Sequence, residues 1–120
     1  KSVMFILKGI LRAESQEKIL IYLLVRERGY GKAIAEFFEC PPNPIQKQLF
    51  RLEEDGVLVS RSLGQMREYQ LNPRYAFYTP LKNLLKATLE VYPKKLRNEL
   101  AMERRRPRAV GKTINQVEER

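Results

Sequence analysis

The stretch that most limits what this chain can fold into is Asn43-Pro44-Ile45-Gln46-Lys47-Gln48-Leu49-Phe50-Arg51-Leu52-Glu53-Glu54-Asp55-Gly56. Cys40-Pro41-Pro42 just ahead ends any preceding helix, because proline cannot continue one and the residue before a proline avoids the helical region. Asn43 is expected to cap a new helix, its side-chain oxygen accepting from the free amides of the first turn. Pro44 then takes the first helical position, where its missing N–H costs nothing. Ile45, Leu49 and Leu52 recur at i, i+4 and i+7 and form one buried stripe. Lys47, Phe50, Arg51 and Glu54 fall on the opposite face, with Gln46 at its border. Gly56 is free to take the left-handed conformation that stops a helix. An apolar back and a Gln/Lys/Arg front suit a DNA-reading helix, and equally an ordinary surface helix. The neighbouring segments decide between them.

Upstream, Phe5, Ile6, Ile10 and Leu11 stand at helical spacing and predict a short amphipathic helix from Met4 to Arg12. Ser15 is expected to cap a second helix running through Arg28 and closed by Gly29. Ile19, Leu20, Tyr22, Leu23, Leu24 and Val25 cover most of its circumference, which places it at the centre of the core. Tyr30-Gly31 turns into a helix from Lys32 to Glu39 that buries Ile34, Ala35 and Phe38. With the helix after it, joined by a tight turn, this makes a helix-turn-helix unit.

After Gly56 the period changes to two. Residues 57–63 and 65–71 read as strands around Gly64, with Val57, Val59, Tyr69 and Leu71 expected inward and Arg61, Gln65 and Arg67 clustered at the tip. A hairpin directly after a candidate recognition helix is a wing. Asn72-Pro73 closes it. Thr79-Pro80 starts another helix, in which Leu81, Leu84, Leu85, Thr88, Leu89 and Tyr92 trace one stripe and Lys82, Lys86 and Glu90 lie outside. Pro93 breaks it, and Leu96 and Leu100 carry a last helix to about Glu103. Residues 104–120, opening with Arg104-Arg105-Arg106-Pro107-Arg108, read as a basic tail. The expected organisation is one domain over 1–103, with its core at 15–73, followed by that tail. The fold class is mainly α with a small β-hairpin: a winged helix-turn-helix with flanking N- and C-terminal helices.

Composition narrows the function classes. A net charge of +9 favours polyanions, nucleic acid first and an anionic membrane surface second. There is one cysteine and no histidine, so neither a disulfide framework nor the usual zinc or Cys-His chemistry can be built. Cys40 reads as a small apolar residue beside a turn. Gly111-Lys112-Thr113 lacks the earlier glycine and the preceding strand of a phosphate loop. Val3 to Leu7 is too short for a membrane span and lacks a signal peptide's cleavage site. The expectation is a cytoplasmic, non-catalytic protein without cofactor, bound metal or membrane partner, with Met4 as its native start.

In this order of elements the chain resembles the winged helix-turn-helix regulators of the ArsR-like group over about Ser15 to Leu71. The resemblance rests on Ile34-Ala35-Glu36-Phe37-Phe38, Ile45-Gln46-Lys47-Gln48-Leu49, Leu52-Glu53-Glu54-Asp55-Gly56-Val57-Leu58 and Arg67-Glu68-Tyr69-Gln70-Leu71-Asn72-Pro73. Its most specific part is Leu-Glu-x-x-Gly-apolar running into a strand. More narrowly, the chain is similar to small prokaryotic winged-helix proteins with an Asn-Pro after the wing and an Arg-rich C-terminus. The resemblance implies a homodimer reading double-stranded DNA half-sites, with terminal helices at the dimer contact. Two departures stand out. The cysteine and histidine clusters of metal-sensing members are missing, and prolines precede the recognition helix where small hydroxyl residues are common.

Gln46, Lys47 and Arg51 are the candidates for the major groove, since lysine and arginine pair with guanine edges or phosphates and glutamine reads adenine. Asn43 is a cap first and a phosphate contact second. Phe50 is expected to pack under the wing or against a terminal helix sooner than touch a thymine methyl. Arg61 and Arg67, with Gln65 behind them, are assigned to phosphates or the minor groove; a charged edge that discourages strand pairing is the competing reading. Lys32 is a further phosphate candidate. Phe5, Ile6, Ile10, Leu81, Leu85 and Leu89 form the expected dimer seam, unless they cover the monomer's own core. The expected function is sequence-specific DNA binding by a dimeric transcriptional regulator. The alternative is a protein-interaction module, antitoxin-like or partner-docking, in which DNA binding is secondary.

Overall fold

The computed structural model describes residues 5–103; the basic tail and Met4 lie outside them. The chain runs α1 (Glu14–Arg26), β1 (Gly29–Tyr30), α2 (Gly31–Phe38), α3 (Pro42–Glu54), β2 (Leu58–Leu63), β3 (Met66–Leu71), α4 (Tyr78–Val91) and α5 (Lys94–Glu103). The fold is mainly helical, with one small antiparallel sheet of strand order β1-β3-β2. Its centre is α1, where Ile19, Leu20, Ile21, Tyr22 and Leu23 are buried in succession. Five consecutive buried positions require neighbours on every side, and α1 packs against α2, α3, α4, α5 and β3.

Residues 5–11 are not the expected helix. They form turns with an isolated bridge between Lys8 and Leu11, and Gly9 has φ +102°. The physical reason lies in α1. Glu17 is buried, at 1% exposure, and its carboxylate accepts the Leu7 N–H at 2.7 Å and the Ile6 N–H at 3.2 Å. A carboxylate that accepts two backbone donors competes with the helical ladder and fixes the segment as a strap across α1. Tyr92 donates its hydroxyl to the same carboxylate at 2.6 Å, which ties the junction of α4 and α5 to one point.

The caps also shift. α1 starts one residue before Ser15, with Ala13 at the N-cap, and the Gln16 side chain accepts from the Arg12 and Ala13 amides at 3.2 and 3.4 Å. It ends at Arg26, where Glu27 takes a positive φ of 73°, so Gly29 is not its stop. Gly29 instead begins β1, close against the Tyr22 ring. Asn43 does not cap α3: Pro41 is the N-cap, Pro42 the first residue, and Asn43 sits exposed in the first turn. Prolines need no cap for amides they do not possess. Gly56 does stop α3, with φ +84° and the Val57 N–H reaching back to the Leu52 carbonyl at 2.9 Å.

The hairpin has the expected turn but the opposite phase along β2. Leu58, Tyr69 and Leu71 are buried, Val57 is half-buried and Val59 is exposed. Leu58 pairs with Leu71 and Ser60 with Tyr69 on the core face; Val59 pairs with Gln70 and Arg61 with Glu68 on the outer face. Val57 is committed to closing α3, so the alternation starts one residue later. Asn72 staples the hairpin's base to this stop, donating to the Gly56 carbonyl at 2.9 Å while its backbone N–H donates to the Val57 carbonyl at 2.9 Å.

Beyond the sheet, α4 begins at Tyr78, so Thr79 and Pro80 lie in its first turn. Leu85, Thr88 and Tyr92 are buried, and Pro93 separates α4 from α5, which buries Leu96 and Leu100. Arg26 holds α5 in place: its guanidinium donates to the Leu100 carbonyl at 3.0 Å and lies 4.8 Å from the ring centroids of Tyr22 and Phe37.

Candidate nucleic-acid interface

The stripe Ile45, Leu49 and Leu52 is buried, and the front of α3 faces solvent as a continuous strip. Asn43, Gln46, Lys47, Phe50 and Arg51 are all exposed. Charge is unequal along the helix. Its first turn holds no acid, Lys47 stands in the middle, and Arg51 in the last turn is followed by Glu53, Glu54 and Asp55 at the C-terminal end. Phe50, at 59% exposure, packs under neither the hairpin nor a terminal helix, contrary to expectation. The helix presents it to solvent between Lys47 and Arg51.

Gln46 has a near neighbour. A Cβ built on Gly31 would collide with its Nε2, so the amide of Gln46 rests on the first residue of α2. That contact brings the start of α2, including exposed Lys32, beside the second turn of α3.

The hairpin splits its two arginines between faces rather than clustering them at a tip. Arg61 lies on the outer face and is paired with Glu68, Nε to Oε1 at 2.9 Å. Arg67 lies on the α3-facing side, donating to Ser60 Oγ at 3.0 Å and Ser62 Oγ at 3.2 Å. Ser60 in turn donates to Glu53 Oε2 at 2.6 Å, which couples the hairpin to the last turn of α3. Burial pushes the Tyr69 phenol above its ordinary pKa; the Glu53 charge adds to this and Arg67 opposes it. Gln65 is exposed in the connecting turn.

The expected dimer seam is divided. Leu85 is fully buried within the chain, and Ile6, Leu81 and Leu89 pack partly buried against the core. Phe5 is half-buried and Ile10 exposed. The apolar side chains that α4 leaves in solvent are instead Pro80, Leu84, Ala87 and Val91, which share one face at spacings of four, three and four, with Phe77 just before the helix. Cys40 is half-buried against the core.

Two buried polar groups were not legible as such in the sequence. Glu17 looked like one more charge of a helix's first turn. Gln48 sits among Ile45, Leu49 and Leu52 with no hydrogen-bond partner for Oε1 among the described residues. Its only signal was a position three residues after Ile45, inside the apolar stripe. Among the described residues no group of acids and cysteine is placed to hold a metal ion, and no helix is long and apolar enough to cross a membrane. No protein family, curated protein or solved structure matches the chain.

Proposed function

We propose that this chain is a winged helix-turn-helix protein that binds double-stranded DNA sequence-specifically, as a homodimeric transcriptional regulator. In this reading α3 enters the major groove and β2–β3 is the wing. The observation that carries it is the front of α3: exposed Gln46, Lys47, Phe50 and Arg51 on a helix whose back is locked into the core. Donors on a rigid helix present fixed geometry to base edges, and Phe50 adds an apolar surface that fits a thymine methyl. Arg67 and Lys32 supply phosphate contacts, with Gln65 secondary. Arg61 contributes less, because Glu68 already neutralises it. The apolar face of α4 formed by Leu84, Ala87 and Val91 serves as the dimer seam, which moves that contact off Leu85.

Selection of bound duplexes from a random-sequence pool tests this reading. The expected product is an inverted repeat with half-sites about 34 Å apart. A pool that never departs from random sequence contradicts it.

A second reading has its own support. The hairpin's outer face exposes Val59, Leu63 and Met66, and Phe50 is exposed on α3. Apolar groups displayed in this way fit a protein-interaction module, antitoxin-like or partner-docking. Under that reading the purified chain brings down a stoichiometric partner and leaves promoter DNA unshifted.

A further inference from the structure

The two arginines of the hairpin differ in what holds them. Arg61 is paired with the Glu68 carboxylate. Arg67 stands opposite Ser62 in the sheet and, among the described residues, donates to hydroxyls alone: to Ser60 Oγ at 3.0 Å through Nη1 and to Ser62 Oγ at 3.2 Å through Nη2. These bonds leave most of a guanidinium's donors open and none of its charge neutralised. Ser62 accepts with a lone pair. It is exposed, and among the described residues its own O–H donates to nothing, so that proton is open to a ligand. Ser60 is different. It is half-buried, and its proton is committed to Glu53 Oε2 at 2.6 Å. That bond fixes the hydroxyl's rotor so that a lone pair faces Arg67 Nη1. A serine without such an acceptor can turn its proton towards the guanidinium as readily as away from it.

We propose that Ser62 and Arg67 form a clamp for one backbone phosphodiester of duplex DNA, and that Glu53, acting through Ser60, is its positioning residue. The proposal rests on the DNA reading above but not on base readout, since a phosphate contact carries no sequence information. The Arg67 fork offers charge-assisted donors to the phosphate oxygens, and the Ser62 hydroxyl adds a neutral donor beside it. An arginine already held at two points loses less freedom on binding than one that swings in solvent. The arrangement has a signature of its own. Glu53 promotes the binding of a polyanion although it is itself an acid.

The test is a double-mutant cycle read by anisotropy of the full chain on a random-sequence duplex, with thermal unfolding to show that each variant is folded. Ser62→Ala is expected to weaken binding about fivefold with the salt slope unchanged, because a neutral donor is lost. Arg67→Gln is expected to weaken it further and to lower the salt slope by about 1. In the Arg67→Gln background, Ser62→Ala is expected to cost less than about twofold, since the two act as a unit. Glu53→Ala is expected to weaken binding about threefold, and Glu53→Gln, which keeps an acceptor for Ser60, to recover most of that loss. With Arg67→Gln in place, Glu53→Ala is expected to strengthen binding, as loss of an acid beside a polyanion ordinarily does. A merely structural Glu53 would weaken binding equally with or without Arg67. Additive losses for Ser62 and Arg67, or a Glu53→Ala that leaves binding unchanged or tighter in the parent, would overturn the proposal. A parent that binds no duplex overturns the DNA reading with it, whereas a parent that binds while Arg67→Gln changes nothing overturns the clamp alone.

Discussion

Tyr92→Phe removes one hydroxyl from the point where three separate parts of the chain meet. In the parent, the Glu17 carboxylate accepts from Leu7, Ile6 and Tyr92 at 2.7, 3.2 and 2.6 Å, in a site where Glu17 is 1% and Tyr92 2% exposed. Phenylalanine keeps the ring and its packing, so no cavity of any size opens. The loss is one buried hydrogen bond to a charged acceptor, worth about 1.5–3 kcal/mol, and we take about 2 kcal/mol. With a urea m-value of about 1.5 kcal/mol per M, the unfolding midpoint falls by roughly 1.3 M. Urea titration followed by far-UV circular dichroism at pH 7 measures this directly. Tyr92→Ala sets the scale, because it also empties the ring's volume and costs about 3–5 kcal/mol. A Tyr92→Phe midpoint within about 0.3 M of the parent would refute the role given to Glu17. The same site predicts a pH effect. Burial first, then the hydrogen bond to Glu17 and the charges of Glu17 and Glu14, raise the Tyr92 pKa far above its ordinary value. A raised pKa means the folded state holds its proton longer than the unfolded chain. The contribution is complete below about pH 10 and is lost as pH rises beyond it. Tyr92→Phe is expected to flatten that alkaline decline, leaving the smaller part that comes from Tyr69.

Three further outcomes are expected. Lys47→Ala and Arg51→Ala lower affinity for the selected site by about 1–3 kcal/mol each while hardly changing random-duplex binding, whereas Arg67→Ala weakens all DNA alike and reduces the salt slope by about 1; anisotropy titrations separate the two patterns. Gly29→Ala puts a Cβ 2.6 Å from the Tyr22 ring, a rigid neighbour, and costs about 1–3 kcal/mol by thermal unfolding, whereas Gly31→Ala meets only the movable amide of Gln46 and leaves stability within about 0.5 kcal/mol. Gln48→Met replaces a buried amide with an isosteric apolar chain and raises stability by about 1 kcal/mol in the urea titration.

How far the sequence could be read depended on whether the deciding forces were local. For α3 they were: the proline start, the i, i+4, i+7 stripe and the Gly56 stop all act locally, and only the start was misplaced, with the cap at Pro41 and the first residue at Pro42 instead of Asn43 and Pro44. The hairpin was legible from its glycine turn and alternation. Its phase was not, because Val57 is drawn into the end of α3 and the pattern restarts at Leu58. Residues 5–11 carried a helical spacing of apolar residues, but the competitor was a carboxylate on α1 that no local pattern reveals. β1 is two residues long, too short for any period to register. On α4 the leucines 81, 84, 85 and 89 fall in one continuous arc, so spacing alone put Leu84 in the same stripe as Leu81, Leu85 and Leu89. Only the position of α1 decides which of them are buried. The candidate interface follows the same rule: exposure of Gln46, Lys47 and Arg51 was legible from the stripe behind them. The Arg61–Glu68 pair and the Arg67–Ser60–Glu53 chain depended on strand register.

The proposed base readout by α3 is tested most directly by fluorescence anisotropy of the full chain against its own upstream DNA and a random duplex, at two salt concentrations. The account predicts an affinity gap of about 10³ or more that survives the higher salt. Equal affinities that collapse together as salt rises would contradict it, leaving the +9 charge as the whole of the interaction.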